Sequence, residues 1–143
     1  LLIGNASFHQ ENLRNATSET LQILVKEYLE FVKMKSLQQS VSVNIILESI
    51  AEISPFLPGK FPHCINAEKP ILLLGPEKSE SRRLLGVDYP YWSEANDIEN
   101  IADKIAELYK LWINDGSKLR MDRPDLKHYL SSKYLRETLE KLN

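Results

Sequence analysis

Two short runs of apolar residues dominate the hydrophobic pattern of this 143-residue chain. The runs SVNIIL and ILLLG are continuous rather than alternating, which is typical of parallel strands that are buried on both faces. Between them, prolines interrupt Glu48–Pro58 and predict a loop, whereas Lys60–Ala67 predicts a short helix in which Pro62 is tolerated in the first turn. The pattern therefore predicts a strand–helix–strand crossover that makes Val43–Leu47 and Ile71–Leu74 adjacent or near-adjacent parallel strands.

The N-terminal pattern is weaker and mostly polar. Leu1–Asn5 indicates the last part of a strand that ends in a Gly4-Asn5 turn, and Glu11–Thr20 predicts a short surface helix. Leu21–Met34 fits both a strand and a helix, because its first apolar residues alternate and its later ones follow helical spacing.

The C-terminal half carries clear helix start and stop signals. Serine and aspartate precede two helical segments as N-caps, glycine ends each of them, and proline opens a third helix. The aromatic segment Asp88–Trp92 predicts a short extended stretch that either lines a pocket or seals the sheet against a C-terminal helix. The predicted helices are Glu80–Leu85 after Ser79, Ile98–Asn114 after Asp97, and a last helix from Pro124 to Leu142.

Composition and charge argue against several classes of protein. The formal net charge of −2 gives no general basic field, which disfavours nucleic acid as a partner and a polybasic membrane anchor. Cys64 is the only cysteine, so no intrachain disulfide or cysteine-rich zinc site is possible. The histidines at 9, 63 and 128 lack metal-ligand spacing, and we predict no metal and no cofactor. The chain shows neither a signal-peptide pattern nor an apolar run of about 18 residues, and we expect a cytoplasmic location.

The strongest candidate binding residues lie where the predicted loop meets the predicted helix of the crossover. Pro58 and Gly59 stand at that junction and Lys60 follows, so free backbone N–H groups, the positive helix end and an ammonium group are predicted to converge. Such a point attracts a phosphate group, and the alternative is a solvated lysine in a first helical turn. Glu48 and Glu52 also have two interpretations, as an acid or base in a cleft or as solvated loop charges.

The same segment resembles a known family. Ser54-Pro-Phe-Leu-Pro-Gly-Lys60-Phe-Pro-His, then Asn66-Ala-Glu-Lys-Pro70 and an apolar strand, is similar to the donor-side segment of GT-B fold glycosyltransferases. In that family an SPF-P-K loop and a helix precede a (G)KP turn and a hydrophobic strand, and the segment holds the diphosphate and sugar of a nucleotide-sugar donor. The donor-binding residues that the resemblance implies are Ser54, Phe56, Pro58, Gly59, Lys60 and His63.

The resemblance covers roughly Leu21–Asn114 and bears on the ambiguous N-terminal stretch. The family pattern favours a strand over Leu21–Glu27 and a helix over Leu29–Gln39. The chain departs from the family at the ribose site. Counting back from the KP turn places His63 where the family has one glutamate and Pro55 where it has the other. The resemblance assigns no catalytic residue to this chain.

For the whole chain, the resemblance implies an α/β fold. The expected architecture is a three-layer, Rossmann-like domain with a mainly parallel sheet and C-terminal helices, which is the second half of a GT-B fold. Residues 1–143 would form the nucleotide-sugar-binding domain, with residues 117–143 as a helical extension. An N-terminal domain of the same enzyme is the expected partner, and the opening LLIGN, which reads as mid-strand, agrees with an excised piece.

The implied function is that of a bacterial-type glycosyltransferase that transfers sugar from a nucleotide-diphosphate donor to a saccharide or lipid-linked acceptor. Polysaccharide or glycolipid assembly is the expected setting, with peripheral association of the full enzyme at the inner membrane face, and the isolated chain is expected to be inactive. Two alternatives stay open. One is a sugar-nucleotide 2-epimerase of the same architecture. The other is a non-catalytic, flavodoxin-like signalling or interaction module, which the two amphipathic helices near the C-terminus favour.

Overall fold

The computed structural model describes residues 1–3 and 7–142, so the predicted Gly4-Asn5 turn lies outside the described residues. The chain divides into two compact units, Leu1–Ser36 and Leu37–Asn143. The boundary between them falls inside one helix, Phe31–Ser40.

The first unit contains little regular structure. Its elements are β1 (Leu2–Ile3), α1 (Gln10–Asn15), β2 (Val25–Lys26) and the start of α2 (Phe31–Ser40), and β1 pairs with β2 in parallel. A surface helix is confirmed by α1, although it ends at Asn15 and not at the predicted Thr20, and the helix predicted over Leu29–Gln39 is confirmed by α2 with small shifts at both ends. The strand predicted over Leu21–Glu27 is wrong in length, because its only ladder within the described residues is the two-residue pairing with β1.

The second unit holds most of the regular structure. Parallel strands come first, joined by short helices, and longer helices close the chain. The elements are β3 (Asn44–Leu47), β4 (Ile53–Ser54), α3 (Phe61–Asn66), β5 (Ile71–Leu74), β6 (Lys78–Ser79), α4 (Glu80–Leu85), β7 (Trp92–Ser93), α5 (Ile98–Asp115), α6 (Pro124–Tyr129) and α7 (Ser132–Glu140).

The central sheet of this unit confirms the predicted parallel pair. Its strand order is β3–β5–β7 with all neighbours parallel, and Asn44 lies opposite Ile71 and Leu47 opposite Leu74. Strand β4, which pairs in parallel with β6 over two residues, lies inside the stretch predicted as a loop. The chain is therefore a mixed α/β protein with small parallel sheets and C-terminal helices, as the apolar runs indicated.

Side chains from β5 enter a hydrophobic cluster on each face of the sheet, as expected when successive residues of a strand point to opposite sides. Ile71 and Leu73 join the larger cluster, and Leu72 joins the smaller one. The larger cluster also takes in apolar residues of α3, α4 and α6, whereas the smaller one contains Leu108 of α5 and Leu119. Strand β5 is thus buried on both faces, as predicted.

Strand β3 departs from that expectation. Asn44 and Ile46 are buried, but Ile45 and Leu47 on the other face are 53% and 63% exposed. Ile45 lines an open apolar groove together with Leu72 of β5 and Trp112 of α5, so α5 covers this face of β3 only in part. The prediction of burial on both faces is therefore wrong for this strand.

The predicted caps are confirmed at two helices. The Ser79 hydroxyl accepts a hydrogen bond from the Arg82 N–H at 3.1 Å, and Gly86 ends α4 with a φ of 100°, a left-handed value that favours glycine. The Asp97 carboxylate accepts from the Asn100 N–H at 3.0 Å and starts α5. These local hydrogen bonds explain why the boundaries of both helices follow from the sequence.

The single last helix predicted from Pro124 to Leu142 is wrong, because the structure has two helices there. After α6, Ser131 is extended, and its hydroxyl accepts from the Tyr134 N–H at 3.1 Å, so it caps α7. A serine that satisfies the first free N–H groups of a new helix does so from a non-helical backbone. The apolar periodicity continues across this break and hides it in the sequence.

Candidate ligand-binding cleft at the carboxyl edge of the sheet

The structure places the six predicted donor-binding residues along one surface segment. Ser54 ends β4 opposite Ser79, and Phe56 is 83% exposed in the loop that follows. Gly59 and Lys60 are exposed where α3 begins, and Pro58 is half-buried beside them. His63 lies half-buried within α3.

The start of α3 offers fewer backbone donors than the sequence predicted. The Phe61 N–H donates to the Pro58 carbonyl at 2.8 Å, Pro62 has no N–H, and the His63 N–H donates to the Lys60 carbonyl at 3.1 Å. The prediction that free helical N–H groups converge there is therefore wrong for these three residues. These three residues therefore offer no free backbone N–H group to an anion, whereas the Lys60 side chain is exposed.

Cys64 is part of the core below this helix start. Burial raises the pKa of its thiol, and the nearby charge of Lys60 offsets that effect only in part. The sulfur accepts a hydrogen bond from the Gln38 amide at 3.6 Å. Cys64 is thus a protonated, buried side chain that packs as a small hydrophobic residue.

An open cleft of about 320 Å³ lies at the carboxyl ends of the parallel strands. Three segments form it, and they follow β3, β5 and β7 along the chain. Open α/β sheets commonly bind ligands at this edge. None of the six predicted residues lines the cleft, although Ser54 comes two residues after Glu52 in its wall. The lining residues are Ile50, Ala51, Glu52, Pro76, Glu77, Lys78, Glu94, Ala95 and Asn96.

The charges of the cleft favour a neutral, hydroxyl-bearing group over an anion. Its walls carry three carboxylates, Glu52, Glu77 and Glu94, against one ammonium group, Lys78. Lys78 and Glu52 are 3.5 Å apart, and both are exposed. Carboxylate oxygens accept hydrogen bonds from hydroxyl groups, whereas a phosphate would be repelled by the excess negative charge.

Glu48 lies directly below this edge, and the sequence did not identify it as buried. The residue is only 8% exposed, so the interpretation as a solvated loop charge is wrong. The signal for its burial is the alternation along β3, in which Asn44, Ile46 and Glu48 are buried and the residues between them are exposed. Its side chain packs on Gly75, which follows β5.

The contact between Gly75 and Glu48 leads to a testable prediction. A Cβ atom on Gly75 would lie 2.9 Å from the Cβ of Glu48, so we expect Gly75→Ala to force a shift and to destabilise the protein by about 1 to 3 kcal/mol. Gly59→Ala is the matched control, because nothing lies within 4 Å of its added Cβ. Urea unfolding of both variants checks this, and equal stabilities would contradict the packing of Glu48 on Gly75.

The aromatic segment that leads into β7 packs against the sheet and does not line this cleft. The Tyr89 hydroxyl donates to the Ile71 carbonyl and accepts from the Ile71 N–H, both at 2.8 Å, and burial raises the pKa of that hydroxyl. The Trp92 indole N–H donates to the Gly75 carbonyl at 3.1 Å, and the Arg82 guanidinium lies over its ring. Of the two interpretations of this segment, the structure supports the seal against the sheet.

The described residues provide neither a metal site nor a membrane-spanning helix. Across residues 1–3 and 7–142, no group of three or more histidine, cysteine or acidic side chains could hold a metal ion. No helix in the described part of the chain is both long enough and apolar enough to cross a membrane. No protein-family model, curated protein or solved structure matches the chain.

Proposed function

We propose that this chain is the donor-binding domain of a GT-B type glycosyltransferase, which holds a nucleotide-diphosphate sugar for transfer to a saccharide or lipid-linked acceptor. One observation carries the proposal: the segment that resembles the family joins two adjacent parallel strands, and an open cleft stands at the carboxyl ends of those strands. On this proposal the larger unit is the Rossmann-like second half of the GT-B fold.

The charges of the cleft and of the start of α3 support a division of the donor between two places. The acidic cleft suits the hydroxyl groups of a sugar, and the exposed Lys60 suits the diphosphate. In glycosyl transfer, negative charge builds up on the departing phosphate, and a fixed ammonium group stabilises that charge. The acceptor and the catalytic base would come from a second domain, because a domain that contacts only the donor cannot position an acceptor.

A non-catalytic interaction module is the second candidate, and exposed apolar side chains on the C-terminal helices favour it. On α7, Leu135 and Leu139 share one face and are exposed, and on α5 the same is true of Ile105 and Trp112. An interaction module would bind none of the nucleotide sugars, whereas a donor domain would bind at least one.

Lys60→Ala tests the place of the diphosphate. Because a charge-assisted hydrogen bond would be lost, we expect nucleoside-diphosphate binding to weaken by about 1.5 to 3 kcal/mol while the melting temperature stays unchanged. His63→Ala should weaken it by about 1 kcal/mol or less. Calorimetric titration with uridine and guanosine diphosphates measures both effects.

The matched control is Lys110→Ala, which removes another exposed lysine, on α5. Lys110→Ala should bind both diphosphates as the unmodified protein does. Unchanged affinity in a folded Lys60→Ala variant would contradict the assignment of the diphosphate to Lys60.

A further inference from the structure

Glu48 is a buried acid for which the described residues supply no hydrogen-bond donor. Its backbone N–H donates to the Leu74 carbonyl at 2.8 Å, which fixes the residue at the end of the β3–β5 pair. Neither carboxyl oxygen has a hydrogen-bond partner within residues 1–3 and 7–142, and both oxygens are closed off from solvent. The carboxyl carbon lies 3.4 Å from the position that a Cβ atom on Gly75 would take, so the missing side chain of Gly75 makes its room.

Such a group is unfavourable in the ligand-free protein. Burying a carboxyl group without a partner costs free energy, whereas an apolar side chain of similar size would pack at the same position without that cost. Buried polar groups in native proteins are almost always hydrogen-bonded, and the exceptions call for a specific reason. A ligand that brings donors to Glu48 supplies such a reason.

The cleft adjoins Glu48 and Gly75 along the chain. Ile50 in its wall comes two residues after Glu48, and Pro76 in its wall follows Gly75. Every residue of the connecting loop, Ser49–Glu52, is exposed, so no buried side chain anchors it. A segment with so little buried surface opens locally at a small cost in free energy. Movement of this loop would join the carboxyl group to the cleft.

We propose that Glu48 determines sugar specificity by accepting hydrogen bonds from hydroxyl groups of the donor sugar when the cleft is occupied. The inference rests on the proposed donor-binding function. Hydroxyl groups of a sugar fit this position better than a phosphate group or a metal ion. The cleft already holds three carboxylates that disfavour a phosphate, and no group of three acidic, histidine or cysteine ligands exists in the described ranges to hold a metal ion. Lys78, the one cation of the cleft wall, is next to Glu52.

Glu48→Gln and Glu48→Leu test the inference in the 143-residue chain. We expect Glu48→Gln to weaken binding of uridine-diphosphate glucose, or of whichever hexose conjugate in a uridine and guanosine panel binds most tightly, by about 10-fold or more. Binding of the corresponding nucleoside diphosphate without sugar should change by less than about twofold, because Glu48 would not contact the phosphates. Glu140→Gln, which alters an exposed acid on α7, is the control and should change neither affinity.

Glu48→Leu tests, without any ligand, whether the Glu48 carboxyl group lacks hydrogen-bond partners. Replacing an unpartnered buried acid with an apolar residue should raise the melting temperature of the ligand-free protein by about 3 °C or more. A lower melting temperature would show that the carboxyl group is already satisfied and would overturn the inference. Equal losses of affinity for the sugar conjugate and for the bare diphosphate, or no loss for either, would also overturn it while leaving the donor-binding function intact. If the unmodified protein binds no member of the panel, both proposals fall.

Discussion

Phe61→Ala is expected to lower the free energy of unfolding by about 3 to 5 kcal/mol, the largest single effect that we predict. Phe61 begins α3 and is fully buried in the larger hydrophobic cluster with Ile46 and Leu73. Truncation of its ring would leave a cavity at the point where the crossover helix meets the sheet. Urea or guanidinium unfolding followed by circular dichroism measures the change.

Phe56→Ala is the matched control for this experiment, since it removes the same ring five residues earlier. Phe56 is 83% exposed, so its loss should change the stability by less than about 0.5 kcal/mol. A small effect of Phe61→Ala, or an equally large one of Phe56→Ala, would contradict the position of α3 on the sheet. Because Phe56 contributes so little to the fold, a loss of ligand binding in Phe56→Ala would reflect a lost contact between the Phe56 ring and the ligand.

Arg123→Ala is the second large effect, and we expect it to destabilise the protein by about 2 to 4 kcal/mol. The Arg123 guanidinium donates to the carbonyls of Leu85 and Leu84 at 2.8 and 3.2 Å, and these carbonyls belong to the last turn of α4. It also pairs with Asp125, which holds the pKa of that carboxyl group below its usual range. Its loss would leave part-buried carbonyl groups without their donor.

The neighbouring arginine gives a control that separates this role from simple loss of charge. Arg120 pairs with Glu68 on the surface and is mostly exposed, so Arg120→Ala should cost about 1 kcal/mol or less. Thermal melts of both variants, at low and at high salt, measure the difference. If the two substitutions were equally mild, Arg123 would not tie α6 to α4.

The elements that the sequence predicted correctly are those that local signals determine. The continuous apolar run of β5 requires burial on both faces, and the serine and aspartate caps of α4 and α5 satisfy N–H groups within three residues. The parallel pairing of β3 with β5 follows because a crossover helix separates two apolar strands. None of these inferences needs information about distant residues.

The features that the sequence did not predict depend on tertiary neighbours. The apolar run of β3 cannot show that one face stays open, because that depends on how far α5 covers the sheet. The helix periodicity across Ser131 is unbroken, so only the hydrogen bond of its side chain reveals two helices. At the predicted phosphate site, the turn that carries the Pro58 carbonyl back to the Phe61 N–H removes a donor that the motif suggested.

Ligand binding by the unmodified chain tests the donor-binding function directly. Saturation-transfer NMR, with a panel of uridine and guanosine diphosphates and their hexose conjugates, detects binding that is too weak for calorimetry. If the chain binds a nucleotide-sugar donor, at least one conjugate receives saturation at both its nucleotide and its sugar protons, and the matching bare diphosphate competes with it. A folded chain that transfers saturation to no member of the panel would contradict the donor-binding function.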